Sequence, residues 1–264
     1  MTSSLSLSLL NGLTQHTRNH MQRMGITSLE QIAALTETEL CAFNGIGKVK
    51  ASAIRAQAQA YLEARPVWLA APPAVCQGSG WFFDIETDPT TQSVWSIGWS
   101  GMDGDIEIIL VDPALPRARE QRGRLLMVDS AAEAWRAFAD AMTADPHQGP
   151  IFHWSPYDSG NMRQTAPPHV TAALLPRLND LCHLFRKTVT IPARGVSIKT
   201  VARYFGFDWS EYADWFAAFN DYRHWLRSRD DEALIRACAY QGDDVRAMVI
   251  VHRWLQNGSG GGGG

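Results

Sequence analysis

The chain has 264 residues, enough for one sizeable domain and a small one. With 45% hydrophobic and 19% charged residues it has the composition of an ordinary globular protein, and no apolar run is long enough to suggest a membrane span. A formal charge of −3 excludes a generally basic coat, so any contact with nucleic acid has to be local.

That charge is unevenly distributed: residues 1–66 carry +2 and the remainder −5. Cys41, Cys76, Cys182 and Cys238 are scattered without zinc spacing and read as free thiols of a reducing, cytoplasmic compartment. The start, Ser4-Leu5-Ser6-Leu7-Ser8-Leu9, alternates but lacks the basic and apolar regions of a signal peptide. From Thr14 to Glu63 the pattern is helical, with Thr27 or Ser28 as an N-cap and another short helix at Thr36–Leu40. Between Phe43 and Ala51 lies Gly45-Ile46-Gly47-Lys48-Val49-Lys50, followed by an Ala-rich helix through Tyr61. Two glycines between short helices make a tight turn whose N–H groups can face a phosphate, with Lys48 and Lys50 as cations at its edge.

Residues 67–79 are Pro- and Ala-rich with little periodicity and read as a linker between a domain at 1–66 and one at 80–257. The second domain opens with Trp81–Thr87, a buried strand, followed by strands at Ser93–Trp99 and Asp105–Val111 in an antiparallel meander. Arg117–Arg124 reads as a charged loop. Ser130 caps a helix with Ala134, Phe138 and Met142 on one face, and Ile151–Trp154 is a further buried strand. Beyond Cys182 the chain is mostly helical, with a short helix ending at Gly206 and a long one from Asp230 to about Leu255. The Gly-rich residues 258–264 read as a flexible tail outside the fold. Strands first, then strands alternating with helices, predict a mixed α/β sheet with helices on its faces.

Four acids could meet in that fold. Asp84 and Glu86 are two residues apart on the first strand, so they emerge on one face. Asp158 follows the Ile151–Trp154 strand. Asp244 sits four residues after Tyr240 on the last helix, so these two share a helix face. Buried carboxylates repel one another unless a cation joins them, and an oxygen-ligated divalent metal is the natural partner.

This order of residues resembles the DEDD exonucleases, tyrosine subtype, which have an RNase H-like fold. Phe83-Asp84-Ile85-Glu86-Thr87 resembles the first motif of that superfamily and Tyr240-Gln241-Gly242-Asp243-Asp244 the last; Ala239 stands where the histidine subtype would have His. More narrowly, Phe152–Asp158, Asp180-Leu181, Ser197–Val201 and Asp243–Ala247 resemble the RNase H-like domain of predicted RecB-family nucleases. The Gly45-Ile46-Gly47 turn, with Gly25-Ile26 as an earlier counterpart, resembles the helix-hairpin-helix family, which grips DNA backbone without reading sequence.

The resemblance implies a 3′→5′ exonuclease using two Mg²⁺ or Mn²⁺ ions. Asp84, Glu86 and Asp244 would hold the ion beside the attacking water, with Asp84 shared between both ions and Asp158 holding the second. Tyr240 would orient the water, and Gly45, Ile46, Gly47, Lys48 and Lys50 would hold nucleic acid, DNA in preference to RNA. A partner nuclease or helicase could supply a further activity, since the RecB-like half is missing from this chain. A ribonuclease with the same acids, or a non-catalytic adaptor, stays open as an alternative. Other residues have plainer readings: Asp243 faces solvent, Asp180 is an N-cap or supports the site, His153 is a core or substrate-edge histidine, and Lys199 is by default an exposed helix lysine, though one that could neutralise a substrate phosphate. The aromatic-rich helix Tyr212–Trp225 packs Trp215, Phe216, Phe219 and Trp225 partly inward.

Overall fold

The computed structural model describes residues 6–145, 148–210 and 214–258. Four helices open the chain: α1 (Gln15–Arg23), α2 (Leu29–Ala34), α3 (Glu37–Cys41) and α4 (Lys48–Glu63). Short polar caps start three of them. Thr14 accepts from Thr17 N–H, while Ser28 and Thr36 each form a reciprocal capping box, with Gln31 and Glu39 respectively. The connections α1–α2 and α3–α4 both turn at a glycine with φ +81°, Gly25 and Gly45, a conformation a side chain would strain. Leu7, Met21, Leu29, Ile32, Leu40 and Ile54 close a separate small core beneath these turns.

The second core is built on a seven-stranded sheet. Its strands in chain order are β2 (Trp81–Thr87), β3 (Val94–Ser100), β4 (Glu107–Val111), β5 (Arg119–Arg122), β6 (Leu125–Val128), β7 (Ile151–His153) and β8 (Leu178–Asp180); β1 (Val67–Trp68) and β9 (Val189–Thr190) pair separately. The spatial order is β5-β6-β4-β3-β2-β7-β8, with β2–β3–β4 antiparallel, as the expected meander requires, and β7 and β8 added parallel to β2. The charged stretch Arg117–Arg124 is not a loop: its centre is β5, paired with β6. Pairing there comes from backbone groups, so a polar, half-exposed edge strand leaves no hydrophobic signal.

Helices cover both faces. On one lie α5 (Ala131–Ala144), α6 (Pro156–Thr165) and α7 (Pro168–Leu174), packed through Phe138, Met142 and Leu174 against Phe83 and Ile85. On the other lie α8 (Leu181–Thr188), α9 (Ile198–Tyr204), α10 (Trp215–Ser228) and α11 (Asp231–Gly258). The alternation of β2 thus sends Phe83 and Ile85 towards α5, and Phe82, Asp84 and Glu86 towards α11. A bulge opposite Glu86 and Thr87 makes Trp95 the extra residue of β3 and turns its indole onto Tyr222 of α10, 4.5 Å away. Trp225 and Phe219 of α10 are buried as expected, but Trp215 and Phe216 are about half exposed, at 46% and 51%. Tyr212 lies outside the described residues.

The stretch 67–79 is more than a linker. Val67 and Trp68 pair with Thr190 and Val189, and Ala74–Cys76 forms a 3₁₀ turn. Farther up the chain, Gly195 N–H donates to Asn11 Oδ1 at 2.7 Å, and Gln57 Nε2 donates to the Ala193 carbonyl at 2.9 Å. Such pairings are non-local and invisible to local periodicity.

Helix α11 approaches the sheet closely at Gly98 of β3, where an added Cβ would sit 2.7 Å from Gln241 Cγ. Gly98→Ala is therefore expected to push Gln241 aside and to lower stability by ~1–3 kcal/mol, read as an earlier urea midpoint. An unchanged midpoint would show that α11 can shift freely over β3.

Candidate active site

Three carboxylates converge. Asp84 and Glu86 from the centre of the sheet and Asp244 from α11 each place an oxygen within 4.8 Å of the others. The converging acids are set by two periods, the strand's two and the helix's 3.6. Asp158, in the first turn of α6, lies outside that three-oxygen group, although its charge acts on both Asp84 and Glu86. It is delivered by a sharp bend at Ser155, which has φ +94° and ψ 161°, a conformation costing a non-glycine residue ~1–3 kcal/mol. Two contacts hold the bend: Ser155 N–H donates to Asp180 Oδ1 at 3.3 Å, and His153 Nδ1 donates to the Ser155 carbonyl at 2.6 Å. The same His153 nitrogen is 3.6 Å from Asp158 Oδ2, an oxygen that is buried with no hydrogen-bond partner among the described residues. Asp180 also caps α8, accepting from His183 N–H, so both of its expected roles coincide.

Polar side chains stand around the three acids. Gln241 Nε2 donates to Asp84 Oδ2 at 2.8 Å and Trp209 Nε1 to Asp244 Oδ1 at 2.7 Å. Lys199 is not a free surface lysine: its Nζ donates to the Tyr240 hydroxyl at 2.7 Å and lies 4.7 Å from the centre of that ring. Asp243 does not face solvent either. It is buried and accepts from Ser210 N–H and Oγ and from Arg246. The helix is covered on more than one side here, so a position off the site face still meets protein.

The environment works against the charged forms. Burial, then the charges of Asp244, Asp158 and Glu86, hold the Asp84 carboxyl well above the usual carboxylate range, opposed by the Gln241 hydrogen bond. Glu86 is raised by burial and then by Asp244, with Lys199 opposing. Asp158 is raised by burial, with His153 opposing. Asp244 is pushed up to about 6 by burial, against the pull of Lys199, Trp209 and Tyr240. The Tyr240 hydroxyl is raised by burial and the surrounding acids, so it stays a neutral phenol.

This donor set fits a hard divalent cation. It is all oxygen and carries more negative charge than Lys199 offsets, and near it Asp158 offers a buried oxygen without a hydrogen-bond partner among the described residues. Beside Glu86, a pocket of about 310 Å³ is lined by Thr87, Gln92, Tyr157 and Trp215 among others. Tyr157 and Trp215 are half exposed there, and the Tyr157 hydroxyl is 2.6 Å from Thr87 Oγ1 and 3.0 Å from Gln92 Oε1.

A family model for the RNase H superfamily matches residues 81–256. The chain belongs to the RNase H superfamily. Its mixed seven-stranded sheet with flanking helices is an RNase H-like fold, and the matched residues run from the first residue of β2 to the last turns of α11. Membership suggests a nucleic-acid hydrolase. No curated protein matches the chain. Among the described residues, no helix of this RNase H-like protein is long and apolar enough to cross a membrane.

Raised carboxyls bind protons more tightly folded than unfolded. Their contribution to stability is therefore fullest below the ordinary carboxylate range and is lost as pH rises through the folded values, which for Asp244 is about 6. The metal-free protein is expected to lose thermal stability between pH 5 and 8. Asp84→Asn should raise its Tm at pH 7.5 by ~3–6 °C and abolish the further rise that Mg²⁺ or Mn²⁺ gives the wild type. A Tm independent of pH over this range, or a mutant less stable than wild type, would show that repulsion among the acids does not destabilise the metal-free protein.

Proposed function

We propose that this RNase H-like protein is a metal-dependent 3′→5′ exonuclease acting on DNA, at single strands or ends. The observation that carries the reading is the convergence of Asp84, Glu86 and Asp244 with Tyr240 in register one helical turn from Asp244. The direction of attack and the preference for DNA rest on the motif resemblance. The pocket beside Glu86 supports a strand end as substrate, because Trp215 and Tyr157 offer flat aromatic surface where a base would lie.

In this reading Asp84, Glu86 and Asp244 hold one Mg²⁺ or Mn²⁺, and Asp158 holds a second together with Asp84. When bound, such ions lower the pKa of water and stabilise charge on the phosphoryl oxygens. The protein's own residues set the positions. Gln241 and Trp209 each hold one carboxylate oxygen, so the acids keep their orientation in spite of mutual repulsion. Tyr240, a neutral phenol, is suited to orienting a water and not to removing its proton. Lys199 fixes the phenol and adds positive charge where phosphate charge develops.

The helical module at 1–66 is the proposed grip on the sugar-phosphate backbone. Gly47 is the N-cap of α4, Ile46 anchors the turn in the small core, and Lys48 and Val49 are exposed beside it. Lys50 Nζ folds back onto the Gly45 carbonyl at 2.9 Å, which leaves Lys48 as the more available cation at the turn.

Asp84→Ala or Asp244→Asn should abolish release of nucleotides from end-labelled DNA while leaving binding in EDTA intact. Tyr240→Phe should slow the reaction by ~10²-fold. Near wild-type cleavage by either acid mutant in Mg²⁺ would remove the assignment, and cleavage of RNA but not DNA would replace it with a ribonuclease.

Lys48→Ala should weaken binding about equally for all sequences and reduce the salt slope by ~0.7–0.9, with a much smaller effect on the rate at saturating substrate. Isotherms at several salt concentrations read both quantities. Unchanged affinity and slope would mean that the turn packs against protein instead.

A further inference from the structure

We infer that the cleft between the N-terminal helical module and the RNase H-like domain is a channel for the phosphodiester backbone of a single DNA strand. The inference rests on the nuclease reading and adds a path by which substrate reaches the acids. The cleft has a volume of about 480 Å³ and is walled by α4 on one side, through Lys50 and Gln57, and by the end of α8 on the other, through Arg186 and Lys187. That volume is within the range of ligand-binding clefts.

Charge sets this cleft apart. No Asp or Glu lines it, and none of Lys50, Arg186 and Lys187 pairs with a carboxylate among the described residues. Several exposed arginines elsewhere are neutralised: Arg119 by Glu133 and Asp140, Arg124 by Asp105, Arg203 by Asp208. Cations on both walls of a cleft with no acid in its lining, in a chain whose net charge is −3, are complementary to a polyanion; Lys50 is engaged there only by the Gly45 carbonyl. Asn11 and Gln57 bond to Gly195 and Ala193 across the cleft's rim and so tie its two walls together.

Along the chain, the cleft's lining is close to the surroundings of the acids. Gly195 and Val196 line it, and the next residue, Ser197, caps α9, whose Lys199 reaches the Tyr240 hydroxyl. Four residues span at most ~14 Å, so a strand lying along the rim can present its end to the carboxylates. At its other wall Lys50 belongs to the first turn of α4, directly after the Gly45-Ile46-Gly47 turn. One strand would therefore touch the hairpin, the cleft and the acids in succession.

The test compares Arg186→Ala/Lys187→Ala with Arg117→Ala/Arg227→Ala, which removes two exposed arginines outside the cleft. The readout is fluorescence anisotropy of a labelled 20-nucleotide single-stranded DNA in EDTA at several salt concentrations, with Tm as a check on folding. Both altered residues of the first variant are exposed, so folding should be retained. The cleft variant should bind ~10-fold more weakly with a salt slope lower by ~1.4, at ~0.7 per lost phosphate contact, and the control pair should change far less. Equal losses in the two variants, or none in either, would overturn the channel while the nuclease reading survives through wild-type cleavage. A wild-type protein that neither binds nor cleaves the DNA would overturn both.

Discussion

Mutual repulsion among buried carboxylates is the constraint on which this structure turns. Asp84, Glu86, Asp158 and Asp244 are each disfavoured as anions by their burial, Asp84 also by the charges of Asp244, Asp158 and Glu86, and Glu86 also by those of Asp244 and Asp158. Nothing about the acids themselves keeps them together. What does so is a frame that cannot easily relax. β2 is flanked on both sides by paired strands, and α11 is seated on β3 at a residue with no side chain. Neighbouring donors then fix individual oxygens. The free energy that would relieve the repulsion is available to a cation as binding energy.

Much of this was legible in the sequence because it is periodic. Asp84 and Glu86 differ by the strand repeat, and Tyr240 and Asp244 by the helix repeat, so their faces follow from spacing alone. Ser130, with Ala134, Phe138 and Met142, is legible for the same reason: a cap and a stripe, all three stripe residues fully buried. The residues that escaped are those whose role depends on tertiary approach. Lys199 lies on a short helix with no distinctive pattern, yet it ends on Tyr240, 41 positions away. Trp209 and Gln241 gain meaning only once α9 and β3 are packed beside α11. Asp243 looked like a solvent acid because one face of a helix is usually wet, whereas this helix is buried on several sides and Ser210 covers it.

The two cores are joined by small contacts that neither half could signal alone. β1 pairs with β9 through two residues each, and a few side-chain bonds from Asn11 and Gln57 complete the junction. Such a junction is sparse beside the hydrophobic cores it links, and interfaces of that kind allow relative movement more readily than cores do. The basic cleft lies between the same elements, so its width and the order of the junction are coupled.

The sheet's two margins have a consequence for how the protein behaves at high concentration. Its interior strands are apolar enough to template pairing with another chain; every residue of β3 is buried. The outermost strand on one side, β5, reads Arg-Glu-Gln-Arg, with Arg119 tied to Glu133 and Asp140 and Arg122 to Glu120. On the opposite side β8 is three residues long and ends in Asp180, which is already engaged as a helix cap. Charged or very short margins are poor docking strands for a foreign edge. The fold thus carries its own protection against sheet-to-sheet aggregation, and it places that protection in the segments that look least structured when read residue by residue.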